Sequence, residues 1–115
     1  MKLIIALIQP PKLHAVQEAL QRVGVERMTV CDAQGFGRQR GHSETYRGIE
    51  YKTQLVRKVA LEIAVNDDFL DRTIRTLVRV ARSGPEGSLG DGKIFVLPME
   101  QAIQVGGPDR GPSAI

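Results

Sequence analysis

Apolar positions open the chain as an unbroken run. Residues 3–8 read Leu-Ile-Ile-Ala-Leu-Ile, the pattern of a strand covered on both faces in the middle of a sheet. Gln9, Pro10 and Pro11 end the run, and proline is well placed at or just before a helix start. Leu13, Val16, Leu20 and Val23 then recur at spacings of three and four, which puts one apolar stripe on a helix. Gly24 sits where a helix C-cap glycine belongs. A strand follows over about 28–31, extendable to Phe36.

From residue 37 to 58 this patterning dissolves. Arg38, Gln39, Arg40, Gly41, His42, Ser43, Glu44, Thr45, Arg47, Gly48 and Glu50 show no core-forming period. A structureless stretch of this length inside a compact domain usually serves function. Order returns where Val59, Leu61, Ile63 and Val65 alternate with Ala60, Glu62 and Ala64, a strand with one strongly apolar face. Asn66 is a suitable N-cap, and Asp67 and Asp68 suit the positive end of a helix. Leu70, Ile74, Leu77, Val78 and Ala81 line that helix. Residues 83–92 form a second glycine-rich loop, 93–97 a last strand, and 106–115 a tail expected to be mobile.

The order is therefore β-α-β, long loop, β-α-β. Two such units side by side predict an α+β fold, the ferredoxin-like βαββαβ sandwich, with helices on one face of a four-stranded antiparallel sheet. Residues 1–105 form this domain, with the long exposed loop between its second and third strands. The fold by itself says little about function.

Composition narrows the function. The 115 residues are 42% hydrophobic and 25% charged, the make-up of a globular chain rather than a disordered one. Three Phe, two Tyr and no Trp leave little for a base-stacking RNA surface. The net charge of +3 is spread over mixed signs, with no basic block that would serve as a nucleic-acid arm, so nucleic acid is not an expected partner. One cysteine, Cys31, cannot form an internal disulfide and points to a reducing, cytoplasmic setting. The opening apolar run is too short to span a membrane and has no small-residue cleavage site, so no membrane insertion is expected. His14 and His42 lack companions at metal-ligand spacing. Asp67 and Asp68 look like helix-start charges, and neither a P-loop nor a nucleophile elbow is present. No catalytic constellation emerges, so the chain reads as a non-enzyme.

Four segments, in order, resemble the PII nitrogen-regulatory signal-transduction family. They are Met28-Thr29-Val30; Gly35-Phe36-Gly37-Arg38-Gln39-Arg40-Gly41-His42 leading into Tyr46-Arg47-Gly48 and Glu50-Tyr51; Lys58; and Gly90-Asp91-Gly92-Lys93-Ile94-Phe95-Val96. The resemblance covers nearly the whole chain. It implies a homotrimer that binds ATP or ADP in clefts between subunits, with Mg²⁺ accompanying ATP and 2-oxoglutarate as effector. It also implies that residues 37–58 engage partners such as an ammonium channel or an enzyme or kinase of nitrogen metabolism.

The resemblance assigns nucleotide binding to Thr29, Gly35, Gly37, Arg38, Gly90, Gly92 and Lys93, with 83–92 as the nucleotide loop. Their chemistry agrees: Gly-x-Gly turns let backbone amides approach a phosphate, and each is followed by a cation, Arg38 or Lys93. Tight-turn glycines are the commoner reading of any single one. Gln39 would offer a carbonyl to Mg²⁺ and contact the effector, Lys58 would pair with an effector carboxylate, and Tyr51 matches a modification position. Three features depart from the pattern. The second loop is about three residues longer, through Pro85-Glu86-Gly87-Ser88-Leu89. Gln104 and Gly106 stand where two phosphate-binding arginines are usual, with Arg110 of the tail as one candidate replacement. Gln9 stands where many relatives have a cation. These departures keep open an alternative, a divergent PII-like adaptor for a transporter or another pathway, with weak or altered ligand binding. A ferredoxin-like enzyme or RNA binder is disfavoured by the missing catalytic pairs and strand aromatics.

Overall fold

The computed structural model describes residues 1–38, 44–46, 49–51 and 53–115, with side chains over 1–35 and 55–115. The elements are β1 (Lys2–Ile8), α1 (Leu13–Arg22), β2 (Thr29–Arg38), β3 (Glu44–Tyr46), β4 (Ile49–Tyr51), β5 (Thr53–Val65), α2 (Asp67–Ala81) and β6 (Gly92–Pro98). Four strands form one antiparallel sheet in the order β2-β5-β1-β6, while β3 and β4 pair separately. With both helices in the crossovers, this is the ferredoxin-like order expected from the periodicity.

Strand pairing explains the apolar runs. Ile4, Ala6 and Ile8 lie opposite Ile63, Leu61 and Val59, and all six are buried with Val16 and Leu20 of α1 and Leu77 of α2. The other face carries Leu3, Ile5 and Leu7 beside Ala64 and Ala60 on β5 and Leu97 and Phe95 on β6. Among the described residues no helix covers this second face, and Phe95 and Leu97 remain 48% and 41% exposed. The central strand is thus apolar on both sides, although among the described residues helices cover only one of them.

Gly24 ends α1 as predicted. It sits at φ +91, its N–H donates to the Gln21 carbonyl, and the Val25 N–H donates to Leu20. Those two bonds form a Schellman motif, in which glycine takes the left-handed position at no steric penalty.

The predicted stripe on α2 holds at four of its five positions, since Leu77 and Ala81 are buried and Leu70 and Ile74 pack against the core, but it also includes residues the apolar pattern did not mark. Thr73 and Thr76 are buried, whereas Val78 is 39% exposed. Each buried threonine hydroxyl donates to a carbonyl one turn back, Phe69 and Arg72 at 2.7 Å. Because the hydroxyl is satisfied within the helix, threonine can occupy a core position that a purely apolar pattern overlooks. Asn66 occupies the N-cap position but its side chain caps nothing. Its Nδ2 donates instead to the Pro112 carbonyl at 3.1 Å.

That bond belongs to a tail with a definite course. Ile103 bridges Arg110, the Gly111 N–H donates to Ala102, and a 3-10 turn spans Gly111–Ala114. The 106–115 segment, expected to be mobile, here doubles back onto the start of α2. The long segment is likewise part strand. The β2–β5 ladder reaches Gly37↔Gln54 and Arg38↔Thr53, and Tyr51 pairs with Glu44 in the β3–β4 hairpin. Among the described residues, no helix is long and apolar enough to cross a membrane.

Candidate functional site

The chemistry-bearing residues gather at the end of the sheet where β1 finishes. Register places Lys93 opposite Leu7, and Leu7 opposite Ala60. Two residues further along β5, Lys58 lies opposite Ala33 on β2, level with Gln9 just beyond β1. Two side chains from these strands reach the same atom of the second loop: the Lys58 ammonium donates to the Gly90 carbonyl at 2.6 Å, and Gln9 Nε2 donates to it at 3.0 Å. On its way the Lys58 stem passes Gly35, whose added Cβ would lie 3.7 Å from Lys58 Cγ. The sheet end and the loop are therefore joined through one carbonyl.

The loop is held in shape by Asp91. Its carboxylate accepts from the Ser83 hydroxyl at 2.6 Å, the Ser88 N–H at 2.8 Å, the Ser83 N–H at 2.9 Å and the Ser88 hydroxyl at 3.2 Å. The Ser83 hydroxyl, followed by the Ser83 and Ser88 amides, holds this carboxyl well below the usual carboxylate range, since donors favour the charged form. Gly92 fixes where the loop rejoins the sheet. It sits at φ +133, and a Cβ there would fall on the Leu7 carbonyl oxygen of β1, so only glycine lets β6 start at this point.

The structure brings Gly35, Lys58, Gly90, Gly92 and Lys93 to this end, and β2 carries Gly37 and Arg38 onward from it. Gly35 and Gly37 stand inside β2, opposite Val56 and Gln54, rather than in a turn. Thr29 is apart: it pairs with Glu62, four residues down β2 from the Ala33 row, or about 13 Å along the strand. Gln39 lies outside the described residues, and Tyr51 is described only through its strand pairing. Gln104 is half-buried with its N–H donating to Asp109, and Gly106 has nothing within 4 Å of an added Cβ. The Ile103–Arg110 bridge sets Arg110 beside these two positions.

Sequence reading missed two contributors. Asp91 was legible only as part of a motif, and its bonding to Ser83 and Ser88 depends on a loop fold no periodicity reveals. Gln9 stood out as a departure, with no sign of its contact to Gly90. Next to the site, a hollow of about 560 Å³ lies between the end of α2 and the loop. It shares Gly92 and Lys93 with the candidate set, but its floor of Leu77, Val78, Ala81 and Ile94 is apolar, and Glu86 and Asp91 also line it. Among the described residues no cluster of three or more His, Cys, Asp or Glu is placed to hold a metal.

Comparison with known proteins places the chain. The sequence model of the family described as nitrogen regulatory protein P-II matches residues 1–107. The chain is 48% identical over 115 residues to nitrogen regulatory protein P-II of Bradyrhizobium diazoefficiens, covering all of both chains. It is 45% identical to nitrogen regulatory protein GlnK1 of Methanosarcina mazei, covering all of this chain and 97% of that one. The structure of B. subtilis GlnK superposes with a TM-score of 0.81 at 29% identity, over 99% of this chain and 97% of that one. On fold, motif order and full-length similarity together, the chain belongs to the nitrogen regulatory protein P-II family of signal transducers.

Proposed function

We propose that the chain is a nitrogen-regulatory signal transducer that binds ATP or ADP at clefts between the subunits of a homotrimer. Mg²⁺ accompanies ATP and 2-oxoglutarate acts as effector, and residues 37–58 control a partner such as an ammonium channel or a nitrogen-metabolism enzyme. The observation that carries this reading is the convergence of Gln9 and Lys58 on the Gly90 carbonyl. It couples the nucleotide loop to β5, the strand by which residues 37–58 return to the sheet, so a ligand seated there changes contacts shared by both. A ligand can shift a loop only through such differential contacts.

Two further features support clefts between subunits. Thr29 is two residues along β2 from the row of Lys93 but three strands across the sheet from it, about 14 Å away, and a neighbouring copy can present it to a nucleotide held at Gly90 and Lys93. The apolar sheet face bearing Phe95 and Leu97 needs covering, and a symmetric oligomer covers it with copies of itself. Within the site, Lys93 and Arg38 supply positive charge for phosphates, and Gln39 and Lys58 supply the effector contacts. The contact from Lys58 to Gly90 would then have to loosen for an effector carboxylate to take the ammonium.

Titration calorimetry with ATP, with ADP, and with ATP plus Mg²⁺ and 2-oxoglutarate tests the reading. Saturable binding of nucleotide, tightened by the effector mixture, is expected. No heat at millimolar ligand would overturn it. Gln104 and Gly106 favour a second reading, a PII-like adaptor that grips its partner through 37–58 without nucleotide; partner capture unaffected by ATP or ADP would select it.

A further inference from the structure

On α2, Thr73 and Thr76 are buried while Val78 faces outward among arginines. Arg75, Arg79 and Arg82 follow at spacings of four and three, so they share one side of the helix and its exit. All three are exposed, and among the described residues none is in an ion pair. Their hydrogen bonds use few donors: Arg75 Nε donates to the Asp71 carbonyl at 3.4 Å and one Arg82 amine to the Pro85 carbonyl at 3.2 Å. These arginines, with Val78, Gly84 and Pro85, line a hollow of about 420 Å³. Pro85 comes from the lengthened part of the 83–92 loop, so the extra residues build one wall.

We propose that this hollow is a second partner-binding surface, separate from residues 37–58, and that its occupant is an acidic protein segment with an aliphatic side chain between its carboxylates. Guanidinium groups pair carboxylates in two-pronged fashion, and three unneutralised ones around an apolar floor match alternating acidic and aliphatic positions. RNA is the weaker match because no aromatic ring lines the hollow to stack a base. A lipid surface is weaker as well, since Val78 and Pro85 offer little bulk to insert. The helix geometry sets the register: carboxylates about one helical turn apart would meet Arg75 and Arg79 together.

The test is fluorescence anisotropy on the full chain with a fluorescein-labelled peptide of repeated Glu-Glu-Leu-Glu units. A matched peptide with Gly for Leu, a single-stranded RNA and phosphatidylserine vesicles serve as competitors. The leucine peptide should bind more tightly than the glycine peptide and the other competitors. Its affinity should fall about tenfold in the Arg75→Gln/Arg79→Gln variant. Val78→Asp, on an exposed position, should weaken it as well, while circular dichroism stays unchanged. Absence of peptide binding, equal affinity for the glycine peptide, an unaffected arginine variant, or tighter binding of RNA or vesicles would each overturn the proposal.

Discussion

Gly90 and Gly92 of the second loop look equivalent in sequence, and the structure predicts that they are not. At Gly92 an alanine would hold φ +133 and drive its Cβ into the Leu7 carbonyl. The backbone strain is of order 1–3 kcal/mol. Relieving the overlap moves β6 off β1 around the Ile8↔Gly92 and Leu7↔Lys93 pairs, weakening one or two backbone hydrogen bonds at a net of about 1 kcal/mol each. Gly92→Ala should therefore destabilise the protein by about 3 kcal/mol, which for a chain of this size lowers Tm by about 12 °C. Gly90 differs: its φ is not positive, and an added Cβ meets only the Gln9 Nε2 at 3.6 Å, an ordinary contact. Gly90→Ala should leave Tm unchanged or raise it slightly, as Gly-to-Ala changes do where the backbone already suits alanine. Thermal unfolding by circular dichroism, with protein concentration held fixed so that subunit association cannot shift Tm, separates the two. A Gly92→Ala protein as stable as the parent, or a Gly90→Ala protein as unstable as Gly92→Ala, would refute the steric argument.

Two other outcomes follow from the same site. Gly106 has open space at Cβ, so Gln104→Arg and Gly106→Arg should fold normally and each tighten ATP by about tenfold, the lower end of what a charge-assisted hydrogen bond contributes; calorimetry showing no gain from either would mean these positions do not face the phosphates. The Asp91 carboxyl is depressed in the folded state by its serine donors, so its contribution is complete above the unfolded value of about 3.9 and is lost as pH falls through the lower folded value. The Ser83 and Ser88 amide resonances should hence stay constant from neutral pH down to about pH 4 and move only below it; a midpoint above that range would contradict the bonding described.

Much of the fold was legible because burial imposes periodicity. The unbroken run in β1 marked a central strand, the alternation in β5 marked a one-faced core strand, and Gly24 marked a helix end by its backbone freedom. What periodicity could not show was how polar atoms are satisfied. Thr73 and Thr76 belong to the core because their hydroxyls bond within α2, a solution invisible to an apolar count. The same blindness made Asn66 look like a cap when its amide holds the tail, and made 106–115 look untethered when Pro112 and the Ile103–Arg110 bridge hold it.

The candidate site was legible to a different degree, since its motif residues could be named but their meeting point could not. Gly35 and Gly37 read as turn glycines, yet they stand in an extended strand: β2 carries Arg38 onward in register with Thr53, and the Lys58 stem passes beside Gly35 on its way to Gly90. The meeting point on Gly90 also gives Gln9 a role: a neutral amide can share one carbonyl with Lys58 at 3.0 and 2.6 Å, where a second cation beside the first would be repelled.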